Sequence, residues 1–189
     1  MIISETIKSV KVYSAFSKIF SSSIFSFFSF SILTAVAAQI AIPFKPVPFT
    51  LQTMMVILAG AFLGSKKGLY SQLTYLAMGA IGLPVFAQTP DAAFGFARLI
   101  GPTGGYLIAF PLAAYITGYL VEKNKNYSTV VASMFFSELL IITSGVIHLH
   151  LFYIQDLKTA IQAGAAIFSI WMVIKVFIAA AIFKGISKK

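Results

Sequence analysis

Apolar residues in this chain fall into six long blocks, separated by short clusters of lysine, glycine, proline and amide side chains. Read as helices, the blocks cover 20–42, 50–65, 68–88, 103–121, 128–153 and 165–184. A helix crossing a hydrocarbon core needs roughly 20 predominantly apolar residues, and most of the blocks reach that length. The second is short and borrows the polar turn Thr50-Leu-Gln52-Thr53 to complete its span. No block alternates with period two, and no solenoid repeat or separate soluble domain is visible. The expected fold is therefore one all-α transmembrane domain over 1–189, a bundle of six helices. Residues 1–18, with Ile7, Val10 and Phe16 among lysines, read as a partly amphipathic lead-in on the cytoplasmic side. The basic start, the Ser/Phe run and Ala35-Val-Ala37 also imitate a secretory leader with its cleavage site. The length of the basic region, and the helix that cleavage would remove, weigh against that alternative.

The breaks between blocks are uneven in what they contain. Two are short and basic, Ser65-Lys66-Lys67 and Glu122-Lys123-Asn124-Lys125-Asn126. The segment from Ile42 to Thr53 is different, with Pro43, Pro46 and Pro48, then Thr50, Gln52 and Thr53. Proline fixes φ and lacks the amide donor, and it pushes the preceding residue toward extended backbone. A stiff, irregular connector beside apolar helices is tolerated where it lines a cavity or meets water. Pro43, Lys45, Pro46, Pro48 and Thr50 are therefore candidates for a lid over a binding site. A long loop from Gln88 through Arg98 to Tyr106, rich in glycine and aromatic residues, lies on the same side, as does Tyr153–Thr159. Loops on a rigid scaffold are where binding residues concentrate.

Composition agrees with a bilayer-embedded chain: 59% hydrophobic residues, 10% charged, 19 phenylalanines and no cysteine. Mean hydropathy is +0.92. A net charge of +9 admits a nucleic-acid partner, but the basic residues are scattered between apolar blocks and do not form one face. Topology accounts for them better. With both termini inside, Lys8, Lys11, Lys18, Lys66, Lys67, Lys123, Lys125, Lys184, Lys188 and Lys189 face the cytoplasm, ten against Lys45, Arg98 and Lys158 outside. That bias predicts an N-in/C-in multi-pass protein of the cell membrane.

Charges inside a span are costly and mark functional candidates. Glu138 and Lys175 each lie about ten residues into the last two blocks, which puts both near mid-depth at about 1.5 Å per residue. Opposite charges at one depth can pair, either as a structural ion pair or with Lys175 meeting a ligand carboxylate or carbonyl while Glu138 holds it or accepts ligand N–H groups. Arg98 is the sole arginine, and its planar fork suits a carboxylate, an outer-leaflet anchor being the alternative. His148 and His150 are two apart and do not share a helix face, so they read as interfacial residues and not as metal ligands. Trp171 could stack on a flat ligand or simply face lipid or core. The pair Gly60 and Gly64 permits close helix approach, for packing within the bundle or for docking another membrane protein, and Ala37 with Ala41 forms a similar small-residue stripe. No phosphate-binding P-loop, zinc-protease motif, nucleophile elbow or acid/base carboxylate pair is present, which disfavours an enzyme and excludes P-loop ATP hydrolysis by this chain.

Three stretches in order carry a family resemblance. Ala38-Gln39-Ile-Ala-Ile-Pro43 with Pro46-Val-Pro48-Phe-Thr50-Leu-Gln52-Thr53 resembles the first connector of BioY, the biotin-specific S component of energy-coupling-factor (ECF) transporters. Gly79-Ala-Ile-Gly-Leu-Pro84-Val-Phe86 and Gly101-Pro-Thr-Gly-Gly-Tyr106 are similar to two further family stretches. The likeness runs over about residues 30–180 and implies an S-component bundle of six helices that captures biotin outside and needs no cofactor. It implies as partners an ECF transmembrane coupling subunit, docked through an Ala-rich first helix carrying Ala37 and Ala41, and a pair of cytosolic ATPases. Carried over by position, the first connector becomes the gate, Gln88 a polar side chain facing biotin, and Lys175 the lysine of the last helix. Gln52, Arg98, Glu138 and Tyr106 complete the expected binding set. Biotin offers an apolar thiolane and valerate chain, a ureido edge with two N–H donors, and a carboxylate. Arg98 or Lys175 would take the carboxylate and Gln88 or Glu138 the ureido edge. The chain departs from the family at Met172, where an aspartate is usual, and Glu138 is the candidate to supply that carboxylate. The alternatives are an S component for another small vitamin, or a membrane scaffold protein whose polar residues only pack.

Overall fold

The computed structural model describes residues 23–88, 93–166 and 169–187. The lead-in, the part of the possible leader before residue 23, and Lys188–Lys189 lie outside these residues, whereas the leader's Ala35-Val-Ala37 falls within the first helix. Helices α1 (Ser23–Gln39), α2 (Gln52–Leu63), α3 (Ser65–Ala80), α4 (Ala97–Ile100), α5 (Gly104–Lys123), α6 (Tyr127–Leu149), α7 (Leu157–Gly164) and α8 (Ser169–Ser187) form the bundle. A π-helical turn, His150–Ile154, extends α6. Three helical stretches are long and apolar enough to cross a membrane: Gly104–Lys123, Tyr127–Ile154 and Ile170–Ser187. Phe25–Gln39 and Gln52–Leu63 are shorter apolar helices. The block read as 68–88 is helical only to Ala80, then turns at Gly82 (φ +97°) into irregular chain. Ahead of α8 the chain spends eight residues on α7, a separate helix begun by Asp156, whose carboxylate accepts the Thr159 amide at 2.8 Å.

Helix α5 is the central post. It packs against α2, α3 and α6, while α1 leans on α2 and α3, and α8 on α6 and α2. One apolar core gathers Tyr75, Phe86, Tyr106, Phe110, Ile141 and Leu149; a second, toward the other end, joins Ile57, Met134, Val176, Ala180 and Phe183. Polar side chains stitch the helices where the hydrophobic effect between them is weak. Ser31 Oγ donates to the Ser71 carbonyl at 2.6 Å, Gln72 Nε2 to Thr34 Oγ1 at 3.2 Å, and Thr117 Oγ1 to Ser137 Oγ at 2.8 Å.

At the lysine-rich end, backbones nearly touch. A Cβ on Gly60 would lie 2.2 Å from the Ala114 carbonyl oxygen, so this glycine serves packing of α2 on α5 inside the bundle. Gly64 turns the chain between α2 and α3 with φ +81°, ψ 178°, backbone that only glycine adopts easily. The Glu122 carboxylate clamps that turn, accepting the Ser65 amide and hydroxyl, both at 2.9 Å. The proposed small-residue stripe needs correction. Ala37 is buried in the bundle, and Ala41 lies past the end of α1 in a strand, so the two share no exposed helical face. The outward face of α1 carries Ile32, Leu33 and Val36 instead.

Candidate functional site

The proline-rich connector does not run straight across the bundle. It reverses on itself as a hairpin in which β1 (Ala41–Ile42) pairs antiparallel with β2 (Phe49–Thr50), Ala41 opposite Thr50 and Ile42 opposite Phe49. The Lys45–Pro46 peptide is cis. Pro43, Phe44 and Lys45 stand exposed at the tip, whereas Val47 to Thr50 are buried. Fixed φ at Pro46 and Pro48 limits the paths available to the returning arm, and that arm covers a cavity.

The cavity encloses about 590 Å³, part of it open to solvent, between the hairpin, α2, α5, α6, α8 and the loop before α4. Its walls are mostly apolar: Val47, Pro48, Phe86, Leu107, Phe110 and Ile141. Polar groups enter from four directions, which is the pattern of a site that fixes the orientation of a small organic molecule.

From α2, Gln52 is held on both sides. Its amide nitrogen donates to the Tyr75 hydroxyl, and its oxygen accepts from Thr50 Oγ1 at 3.0 Å. Tyr75 in turn donates to the Val85 carbonyl at 3.2 Å, and its ring packs edge-on to Phe86. From α6 and α8 come Glu138 and Lys175, both buried, with Nζ 3.5 Å from Oε1. The pairing expected from their equal depth is present. Lys175 also donates to Thr53 Oγ1 and lies 5.6 Å from the centre of the Phe49 ring. Glu138 Oε1 is buried yet accepts no hydrogen bond among the described residues, and the same holds for Thr103 Oγ1. A buried acceptor that makes no hydrogen bond is costly, and although the Lys175 ion pair offsets part of that cost at Glu138, a ligand N–H would relieve the rest.

Arg98, on α4, is buried, with Nη2 donating to the Ala87 carbonyl at 2.7 Å. Burial pushes its pKa down from the ordinary value, but arginine retains its proton in proteins. Tyr106 lines the cavity with its ring while its hydroxyl donates to the Gly164 carbonyl at 2.8 Å, tying α7 to the wall. His148 bonds the Gly101 carbonyl at 3.1 Å and so seats the loop that brings Thr103 to the cavity.

Of the residues expected in the site, Gln52, Arg98, Tyr106, Glu138, Lys175, Pro48 and Thr50 line one cavity. Gln88 does not; it is exposed just beyond Ala87, which does. Pro43, Lys45 and Pro46 belong to the hairpin but not to the lining. Trp171 rests against Phe49 at 5.2 Å with its outer face exposed, away from the cavity. Thr103 and Phe110 are lining residues that the sequence pattern did not single out. Thr103 stands immediately before the Gly104-Gly105 start of α5, a polar residue at a helix entry that could have drawn attention.

These features define a membrane-embedded helical bundle built around a small-molecule cavity. The comparisons narrow that class. The chain belongs to the BioY family, whose family model matches residues 9–189. The biotin transporter BioY of Thermotoga maritima is 42% identical over 153 residues, 81% of this chain and 88% of the relative. The probable biotin transporter BioY of Pyrococcus horikoshii is 53% identical over 89 residues, about half of each chain (47% of this one and 53% of the relative). A 2.1 Å crystal structure of the S-component for biotin from an ECF-type ABC transporter superposes with a TM-score of 0.79 at 27% identity, covering 88% of this chain and 91% of that one.

Proposed function

We propose that this chain is the biotin-capturing S component of an ECF-type uptake transporter, a cell-membrane subunit and not an enzyme. Six helices hold it in the bilayer with both termini inside. Support for that orientation comes from the ten-to-three lysine and arginine bias. Capture occurs on the side of the hairpin, and release inside depends on an ECF coupling subunit and its pair of cytosolic ATPases.

The observation that carries this reading is Glu138 Oε1, which lines a mostly apolar cavity ion-paired to Lys175 but with no hydrogen bond among the described residues. Biotin matches it chemically. Its ureido N–H groups reach Glu138, whose charge is balanced by Lys175, and Thr103 Oγ1 offers a second buried partner. Its thiolane ring and valerate chain lie along Phe86, Leu107, Phe110 and Ile141. Its carboxylate meets the Arg98 fork near the hairpin. Glu138 then takes the part of the carboxylate that the family carries where this chain has Met172. The hairpin from Pro43 to Thr50 is the gate. The planar Arg98 fork matches a carboxylate in shape and Lys175 is engaged with Glu138, so the carboxylate is assigned to Arg98.

Calorimetric titration of the purified protein tests the reading. Saturable nanomolar binding of biotin is expected, with Arg98→Gln weakening biotin but leaving the neutral biotin amide within about twofold, since the guanidinium acts on the carboxylate. No biotin binding, with tight binding of another vitamin, would reassign the cargo. Absence of binding across a vitamin panel would leave only the scaffold role.

A further inference from the structure

Helices α6 and α8 meet through Val130, Met134, Val176 and Ala180, and beside that seam they leave a furrow on the outer surface. Tyr127, Val131, Phe135 and Leu139 line it from α6 and Phe177 from α8, around about 870 Å³ of open space. The α6 residues are spaced by four, one face of the helix. From Tyr127 to Leu139 the furrow runs about 18 Å, at about 1.5 Å per residue. One leaflet of a hydrocarbon core is about 15 Å deep, half of roughly 30 Å. The furrow therefore has the length of one acyl chain lying in one leaflet.

Its mouth is basic. Lys184, seven residues beyond Phe177 and so on the same side of α8, donates from Nζ to the Lys125 carbonyl at 2.6 Å, which sets its ammonium at the Tyr127 end beside the backbone of a second lysine. Lys123 lies in the same turn, over the ring of Tyr119. Among the described residues the nearby acid is Glu122, and both of its oxygens are turned inward onto Ser65. An apolar channel of leaflet depth that ends at the Lys184 ammonium, with Lys125 and Lys123 in the adjoining turn, is complementary to one kind of molecule.

We propose that the α6–α8 furrow holds an anionic glycerophospholipid, its phosphate on Lys125 and Lys184 and one acyl chain along Val131 and Leu139 as far as Phe177. Basic pockets between membrane helices recognise anionic headgroups by this arrangement. The site is separate from the vitamin cavity: Glu138 faces the cavity while Leu139, its neighbour, faces the furrow.

Native mass spectrometry of the detergent-purified full chain, given equal amounts of phosphatidylglycerol and phosphatidylcholine with the same acyl chains, tests it. Wild type retains one phosphatidylglycerol in preference to phosphatidylcholine. Each lysine near an anionic headgroup contributes roughly fivefold, so Lys125→Gln with Lys184→Gln reduces the preference about 30-fold. Ala132→Trp, an exposed lining position, fills the furrow and removes the retained lipid whatever its headgroup. Biotin titration of each variant verifies that it is folded. Equal retention of the two lipids by wild type, a preference that survives the double substitution, or an unchanged lipid count in Ala132→Trp would each overturn the proposal.

Discussion

Glu138→Gln separates a ligand-binding carboxylate from a merely structural one. The substitution is isosteric and removes one charge from a pair whose members are both buried. Unpairing a buried charge costs about 3–5 kcal/mol. Here Lys175 keeps the Thr53 hydroxyl and the face of Phe49, so a loss of apo stability near 3 kcal/mol is expected, about the low end of that range. The effect on binding is distinct. A hydrogen bond to a charged acceptor contributes about 1.5–3 kcal/mol, and the amide oxygen of glutamine retains part of it. Biotin affinity should fall by roughly tenfold. Calorimetry with biotin and with an analogue methylated on the ureido nitrogens provides the contrast, because the analogue should lose little. If Glu138 served only to neutralise Lys175, its removal would leave an unpaired ammonium and the anionic vitamin would bind more tightly. Unchanged or increased biotin affinity in Glu138→Gln refutes the assignment.

Tyr75→Phe removes the hydroxyl that accepts from Gln52 and donates to Val85 while leaving the ring on Phe86. A loss of about 1–3 kcal/mol in thermal stability is expected, together with weaker biotin binding as Gln52 loses its anchor. Gly64→Ala forces a Cβ onto backbone at φ +81° and against the Glu122 carboxylate 2.1 Å away. It should lower stability by about 1–3 kcal/mol without changing biotin affinity, as scanning calorimetry and titration would show. The hydrogen bond from Thr159 holds the Asp156 carboxyl below the usual carboxylate range. A depressed folded-state pKa means that its stabilising contribution is complete above the ordinary range and is lost as pH falls through the lower folded value. The protection of α7 amides, taken relative to their intrinsic exchange rates at each pH, should therefore fall on acidification below the ordinary carboxylate range, and Asp156→Ala should show no such step.

Much of this architecture was legible because bilayer crossing demands long apolar runs, and α5, α6 and α8 coincide with three of them. Equal depth let a pairing of Glu138 with Lys175 be anticipated from the sequence, since rise per residue is nearly invariant in a helix. The connector was harder. Prolines announce extended backbone but not the direction of a chain reversal, so the ladder between Ala41–Ile42 and Phe49–Thr50 had no local signature. Helix α7 escaped because eight residues carry too few turns for a periodic signal, although Asp156 before Leu-Lys-Thr159 is an N-cap pattern. Gln88 was placed by position along a motif; the turn at Gly82 and the path after Phe86 direct Ala87 inward and leave Gln88 outside. Thr103 and Phe110 join the cavity through the packing of α5 on α6, information that no single segment contains.

The two-residue ladder of the hairpin has a bearing on how the cavity opens. A flap whose amides were bonded to the surrounding helices would have to break those bonds to lift, and beside hydrocarbon each broken one is expensive. This flap bonds to itself, Ala41 to Thr50 and Ile42 to Phe49. As the proposed gate, it would swing as one piece with the pairing between its own strands unchanged. Resistance to lifting then resides in side chains, in the apolar surface of Val47, Pro48 and Phe49 and in the grip of Lys175 on the Phe49 ring. Side chains, the Thr50–Gln52 hydrogen bond among them, make the latch, and the paired backbone supplies the stiffness of the door.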